Sequence, residues 1–426
     1  MNHFNRRKFC KLVGVSAVQI SVAGLLSSCS KGTSARVVIV GGGFGGATCA
    51  KYLLRFDSSL QITLVEPSEK YMTCPFSNMV IADVQALDSI SHGYSAQQQR
   101  GVEVIHAKVQ AVDATVKMVA LDNGEVIRYD KLVLSPGIDF KWDAVEGMSA
   151  SDAELIPHAW RAGRQTSILR DQLKSMDDGG VVVVAPPDNP YRCPPGPYER
   201  VSLIAHYLKL HKPKSKVLVL DAKDTFSKQS LFQQGWKELY PGMVEWVGGS
   251  SGGRIDEVDV ATRTLHTESG DKHEADVINL IPPQKAGEVA ITSGFSNEDG
   301  WCPVDQRTFE SEIHKDVYII GDACIAGKMP KSGFAANSQG KVCAAAIVSS
   351  LRGDDMPEPS YVNTCYSLLS PEYGISVAAV YRYDENRGIY KTGGGVSPID
   401  ADAVYRLQEA RYARGWYDSI TMDAFG

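Results

Sequence analysis

RVVIVGGGFGG, residues 36 to 46, decides the fold. The β-branched run Arg36–Val40 predicts a buried parallel strand. Gly41-Gly42-Gly43-Phe44-Gly45-Gly46 follows, then a helical run from Ala47 to Leu54, then a second strand, Gln61–Val65, ending at Glu66. Strand, glycine turn, helix, strand and acid in this order form a dinucleotide-binding fingerprint. Gly41 permits the tight turn, Gly43 lets the backbone approach a pyrophosphate, and Gly46 lets helix and strand pack closely. Amides at the helix N-terminus would hold the phosphates. Glu66, twenty residues after Gly46, is positioned to accept ribose hydroxyls.

A second strand–loop–helix–strand unit starts at VVVVAPPDNPYRCPPG, residues 181 to 196. A helix containing Trp160–Lys174 precedes it, and a helix Glu199–Leu210 and a strand Lys216–Leu220, ending at Asp221, follow. Its loop has lost its glycines. Pro186, Pro187 and Pro190 carry no amide hydrogens, and their rings fix φ, so they cannot form the nest of donors a pyrophosphate needs. This half is expected not to bind NAD(P)H, and Asp221 reads as a structural strand cap.

Between and after these units, Lys131–Leu134 runs into Ser135-Pro136-Gly137, where the chain leaves the first unit. It returns at Val317–Ala323, an apolar strand ending in Gly321-Asp322, before a helix carrying Gly340 to Ile347. Such a Gly-Asp strand end resembles the second flavin contact of FAD disulfide reductases. The expected cofactor-binding set is therefore Gly41, Gly43, Gly46, Glu66, Pro136, Gly137, Gly321 and Asp322. The segment from about 355 reads as irregular but packed, since residues 361–426 hold nine of the 18 tyrosines plus Trp416.

The fold class is α/β: two Rossmann-like FAD/NAD(P)-type domains in the glutathione-reductase manner, plus a C-terminal α+β domain. The expected boundaries are 35–150 with 286–352 for the FAD-binding domain, 151–285 for the degenerate NAD(P)-like domain, and 355–426 for the last. No metal site is read.

The 426 residues are 43% hydrophobic and 22% charged, ordinary for a globular protein. A net charge of −6 gives no reason to expect nucleic acid or an anionic membrane as partner. Residues 1–30 differ. Asn5-Arg6-Arg7-Lys8-Phe9 precedes an uncharged stretch, Leu12–Leu26, too short to span a bilayer. This reads as a Tat-type export signal, and Leu26-Ser27-Ser28-Cys29 resembles a lipoprotein box, with Cys29 as the lipid anchor. The mature chain is then periplasmic, where disulfides persist. Spacing alone cannot pair its cysteines. Cys49, Cys343, Cys302 and Cys324 read as core.

YMTCPFSN (71–78) and YRCPPGPYER (191–200) resemble the flavoprotein subunit of flavocytochrome c sulfide dehydrogenases. So do DVINLIPPQKAG, GWCPVD, GDACIAGKMPKSGFAANSQGKV, NTCYSLLSPEYGISVAA and WYDSITMDAFG, which together span essentially the whole mature chain. The resemblance implies that Cys74 is the covalent attachment point of FAD, that Cys193 and Cys365 form a redox-active disulfide beside its ring, and that Glu199 is the acid/base. Read without it, Cys193 divides evenly between a preorganised reactive thiol among prolines and an inert buried one.

The implied chemistry is attack of hydrosulfide on the disulfide, with electrons passing through FAD to a c-type cytochrome. The chain has no Cys-x-x-Cys-His haem site, so the haem belongs to another polypeptide. Three alternatives stand beside this one: a sulfide:quinone oxidoreductase, an NAD(P)H dehydrogenase, and a flavin-bearing sulfur-carrier subunit without turnover. The mixed charge of Ala401–Asp418 argues against a membrane-facing quinone site.

Overall fold

The computed structural model describes residues 34–426. The expected signal segment, with its twin arginine and Cys29, lies outside the described residues. Among those described, no helix is long and apolar enough to cross a membrane.

The first sheet is parallel and five-stranded, in the order Val317–Ile319, Lys131–Leu134, Arg36–Val40, Gln61–Val65, Glu103–Ile105. Its central strand is buried at all four apolar positions, as expected of a strand covered on both faces. Register sets Val40 beside both Val65 and Leu134, so the loops that follow open at one edge. Ligands of open α/β sheets bind at this carboxyl edge. The outermost strand arrives only after the chain has built the second sheet, so this unit is discontinuous in sequence.

The second sheet, also parallel, runs Val244–Val247, Lys216–Leu220, Val181–Ala185, Val277–Leu280. The helix Gly196–His211 packs on it through Val201, Ile204 and Leu208, all fully buried.

The strands expected at 36–40, 61–65, 131–134 and 216–220 form with those bounds, and the four-valine strand extends by one residue, to Val181–Ala185. The helices are longer than expected: Phe44–Phe56, Gly196–His211 and Gly333–Arg352. The helix expected from Trp160 begins instead at Arg164. Gly163, at φ +126°, breaks the chain there, and the Trp160 N–H donates to His158 Nδ1 (2.9 Å) rather than entering a helix.

The C-terminal segment is the expected α+β unit, but it is regular where the sequence read as irregular. It is a three-stranded antiparallel sheet, Ser360–Ser370, Tyr373–Asp384 and Gly388–Val396, followed by the 23-residue helix Ala403–Phe425. Alternating burial at the start of its first strand is the signature of a one-sided sheet. The final helix returns over the first sheet unit. Phe425 stacks on His92 (5.2 Å between centroids) and on Tyr71 (5.4 Å), while Lys51 donates to the backbone oxygens of Met422, Asp423 and Gly426.

Candidate active site

A cleft of about 1020 Å³ lies at the carboxyl edge of the first sheet. It is as large as the largest common ligand pockets, about 300–1,000 Å³. Gly41, Gly43, Glu66, Cys74, Pro136, Gly137, Gly321 and Asp322 all line it. Of the expected cofactor set only Gly46 is absent from the wall, and its role is packing. A Cβ on Gly46 would stand 1.9 Å from the Gly41 carbonyl oxygen. Gly41 itself has φ +96°, and a Cβ there would lie 2.3 Å from Ser135 O. The turn therefore tolerates no side chain at either point.

Glu66 Oε2 accepts the Gly42 N–H (2.8 Å) and Oε1 accepts the Ser68 N–H (3.0 Å). The carboxylate is held at the strand end, facing the cleft, with further lone pairs to offer. The first amides of the helix Phe44–Phe56 have no carbonyl partner within the helix. At the cleft's other end Asp322 is half-buried, and its Oδ1, out of reach of solvent, has no hydrogen-bond partner. Burial raises its pKa, against the pull of Arg192 and Lys331. An orphaned acceptor, unpaired amides and a glycine-lined wall fit the ribose, pyrophosphate and ring functions of FAD.

Where the cleft meets the second sheet a smaller chamber, about 60 Å³, is lined by Cys74, Asn78, Trp160, Cys193, Glu199, Cys365 and Trp416 among others. A single water needs about 10–15 Å³, so a few hydrosulfide-sized particles fit and a large substrate does not. Cys74 lines both spaces.

Three distant segments supply the chamber's chemistry. Cys193 sits in the proline loop at φ +58°, a left-handed conformation rare for a side-chain-bearing residue and disfavoured before proline. Its N–H donates to Lys331 O (2.7 Å), its carbonyl accepts the Gly196 N–H (2.8 Å), and Tyr191 Oη donates to Pro194 O (2.8 Å). The thiol is thus aimed by its backbone. Cys365 comes from the first C-terminal strand and lines the same chamber as Cys193, its Sγ 3.6 Å from the Tyr366 carbonyl oxygen. Both are free cysteines in the structure. Their titrations separate. Interaction with Cys365 and burial push the Cys193 thiol up. Interaction with Cys193 holds Cys365 down despite burial, with the Lys228 ammonium adding to it.

Glu199 lies on the first turn of the helix Gly196–His211. Its Oε1 accepts the Leu368 N–H and its Oε2 the Asn78 amide, both at 2.8 Å. Burial raises its pKa, opposed by those two hydrogen bonds. Cys74 Sγ lies 3.6 Å from Trp160 O, at the chamber mouth.

Several site residues carry no expectation from sequence. Arg200, 2% exposed, holds the wall together by donating to Asn78 Oδ1, Asn279 Oδ1 and the carbonyls of His158 and Ala159. Trp416 turns a buried, unpartnered Nε1 into the chamber wall. Lys228, at the start of the helix Gln229–Leu239, donates to Ser367 Oγ (2.9 Å) on the strand that carries Cys365. Arg200 and Asn78 end the two quoted cysteine stretches, so a signal for them existed. Lys228 stands in no motif.

Asp221, the second strand-end acid, is fully buried. It accepts from Tyr198 Oη (2.5 Å), Lys223 Nζ (2.7 Å) and Trp246 Nε1 (3.0 Å). All its capacity is used inside the protein.

This fold and cleft define a member of the pyridine nucleotide-disulphide oxidoreductase superfamily, whose family model matches residues 35–184. Within it the chain belongs to the flavoproteins of flavocytochrome c sulfide dehydrogenase. The model for the central region of that flavoprotein chain matches residues 166–282, and the model for its flavin-binding region matches 357–425. The sulfide dehydrogenase [flavocytochrome c] flavoprotein chain of Chlorobaculum thiosulfatiphilum is 64% identical over 45 residues, 11% of this chain and 94% of that one. Mitochondrial sulfide:quinone oxidoreductase of Mus musculus is 22% identical over 325 residues. That match covers 69% of this chain and 66% of the mouse protein, just under two thirds of its length. The sulfide:quinone oxidoreductase structure from Aquifex aeolicus superposes with a TM-score of 0.70 at 17% identity, covering 92% of each chain. At that identity the likeness speaks for the fold alone.

Proposed function

We propose that this protein is the flavoprotein of a sulfide:cytochrome c oxidoreductase, a sulfide dehydrogenase of the flavocytochrome c type. It oxidises hydrogen sulfide to sulfur or polysulfide through a Cys193–Cys365 disulfide and delivers electrons to a separate c-type cytochrome. The observation that carries the reading is the convergence of these two cysteines and Glu199 on one chamber, sized for hydrosulfide, at the wall of the cofactor cleft.

Gly41, Gly43, Glu66, Pro136, Gly137, Gly321 and Asp322 would hold FAD, with Cys74 as its covalent tether. Bound there, FAD supplies a two-electron acceptor that can discharge to a one-electron haem partner. The protein's own steps concern sulfur and protons. Hydrosulfide attacks one sulfur of the disulfide, a new S–S bond forms as the old one breaks, and a persulfide and a thiolate result. The left-handed backbone at Cys193 fixes the target, and the small chamber excludes bulkier thiols. Glu199, its pKa raised by burial, exchanges the proton of the incoming sulfide. Nicotinamide cofactors have no role, because the proline loop lacks donors and Asp221 is fully engaged. Tat export and a periplasmic location, with lipidation at Cys29 as a further option, complete the reading and suit a working disulfide.

Anaerobic titration with sulfide, followed by flavin absorbance, tests it. The flavin should bleach with sulfide and not with NADH, and Cys193→Ser should abolish bleaching while retaining flavin. A Cys193→Ser protein that bleaches at the parental rate overturns the reading. Acid precipitation should leave flavin on the parent protein and release it from Cys74→Ala. The acceptor is decided by turnover with cytochrome c against turnover with a soluble quinone; activity with quinone alone would assign the protein to the quinone-reducing branch.

A further inference from the structure

Lys228 is buried where a lysine has little reason to be. It follows the strand Lys216–Leu220 and starts the helix Gln229–Leu239 with φ +61°, a left-handed turn that directs its side chain inward. It is 9% exposed. Its Nζ donates to Ser367 Oγ (2.9 Å) and lies 3.5 Å from Ile375 O. Taking an ammonium out of water costs several kcal/mol unless negative charge answers it, and two neutral oxygens do not.

The charged and titratable groups that face it come from four elements: Cys365 on the first C-terminal strand, Glu199 on the helix Gly196–His211, Cys193 in the proline loop, and Glu409 on the final helix. Both carboxylates are committed elsewhere. Glu199 is held by Leu368 and Asn78. Glu409 accepts from Ser376 and Ser397 and pairs with Arg406 at 3.4 Å. Ser367, the anchor, stands two residues from Cys365 on the same strand, so both side chains leave one face of the sheet. The unsatisfied charge of Lys228 therefore belongs beside the sulfur of Cys365.

We propose that Lys228 is a positioning residue that holds Cys365 in its thiolate form, so that hydrosulfide is directed to the sulfur of Cys193 and Cys365 departs. This rests on the sulfide reading above and extends it by naming the sulfur that is attacked. In the step, HS⁻ forms a bond to Cys193 Sγ and the Cys193–Cys365 bond breaks, its electron pair going to Cys365 Sγ. The proton of the hydrosulfide stays on the new terminal sulfur. The products are a Cys193 persulfide and a Cys365 thiolate, with charge and atoms conserved. A thiol of lower pKa is the better leaving group in such exchange. The opposite directions in which the two thiols are pushed agree with this assignment.

Two measurements on the full flavin-loaded protein test it. First, the reduced protein is alkylated with iodoacetamide across a pH series and both peptides are quantified by mass spectrometry. Cys365 should react at least about tenfold faster than Cys193 near neutrality. Lys228→Met should erase that preference by moving the pH midpoint of Cys365 alkylation upward, and Lys228→Arg should restore it. Second, the oxidised protein receives one equivalent of sulfide anaerobically and is then alkylated. The added sulfur should map to Cys193 in the parent and to both cysteines in Lys228→Met. Should Lys228→Met not fold, Ser367→Ala, which keeps the charge but frees it from its anchor, should still weaken both preferences. An unchanged Cys365 profile in the variants, or sulfur on Cys365 in the parent, overturns the assignment alone. Sulfur on neither cysteine overturns the sulfide reading itself, and the assignment with it.

Discussion

The two parallel sheets are built to one plan, strand, loop, helix, strand and terminal acid, and differ in what their loops can donate. After Val40 the chain turns through glycines. The amides stay available, and Glu66 spends its carboxylate only on two loop N–H groups at the cleft wall. After Ala185 it turns through prolines, and the matching acid, Asp221, has become a buried hub for Tyr198, Lys223 and Trp246. Lys223 also donates to the proline loop itself, at Pro187 O (2.7 Å). Once a loop loses its donors, the acid that once suited a ribose is worth more as a structural anchor. The freed edge of the second sheet carries Cys193 instead.

The largest break in this comparison should come from Gly46→Val. The new side chain meets the Gly41 carbonyl, which as backbone cannot move aside without undoing the turn. No flavin should remain after purification, as absorbance would report. Protein that stays fully flavin-loaded would show that the glycine turn does not bind the cofactor. Next in size is Asp221→Ala, which strands a buried ammonium and two buried donors. Removing one member of such a group costs about 3–5 kcal/mol, to be read from urea denaturation midpoints. Flavin content per folded molecule should not change, because that acid serves no ligand. A loss of flavin without a loss of stability would mean that the second acid still works as the first does.

Much of this was legible in sequence because the rules that wrote it are local. A strand of β-branched residues covered on both faces, a turn needing φ near +96° at Gly41, and a helix packed against Gly46 leave marks within ten residues of one another. The chamber is different. Cys193, Glu199 and Asn78 sit within quoted motifs, but their meeting with Cys365 depends on a strand that pairs with others far along the chain, and family resemblance rather than spacing joined them. Lys228 was invisible, since a lysine after a strand ordinarily faces solvent and only the arrival of Ser367 buries it. An α+β C-terminal domain was expected, but its strands were not located, because Tyr, Thr, Ser and Gly interrupt their apolar alternation and the third strand runs through three consecutive glycines, 393–395.

A finer difference between the halves concerns acid. His158 is buried against Phe140 (4.3 Å between centroids), and its Nδ1 accepts the Trp160 N–H. Burial, with Arg161, Arg200 and Arg192 nearby, lowers its pKa to about 3, so it stays neutral in the folded protein. His106, on the first sheet's side, is exposed and bonds the Glu66 carbonyl. Unfolding returns His158 to an ordinary pKa of 6.5. Between those two values the unfolded chain binds a proton that the folded chain refuses, so stability rises with pH across the window and is complete above its upper end. Each unit of acidification within it should cost up to about 1.4 kcal/mol. His158→Gln keeps an acceptor and cannot titrate, so the slope of unfolding free energy against pH should flatten by about one proton. An unchanged slope would mean that the acid sensitivity arises elsewhere, and that the wall behind Trp160 opens to admit the charge.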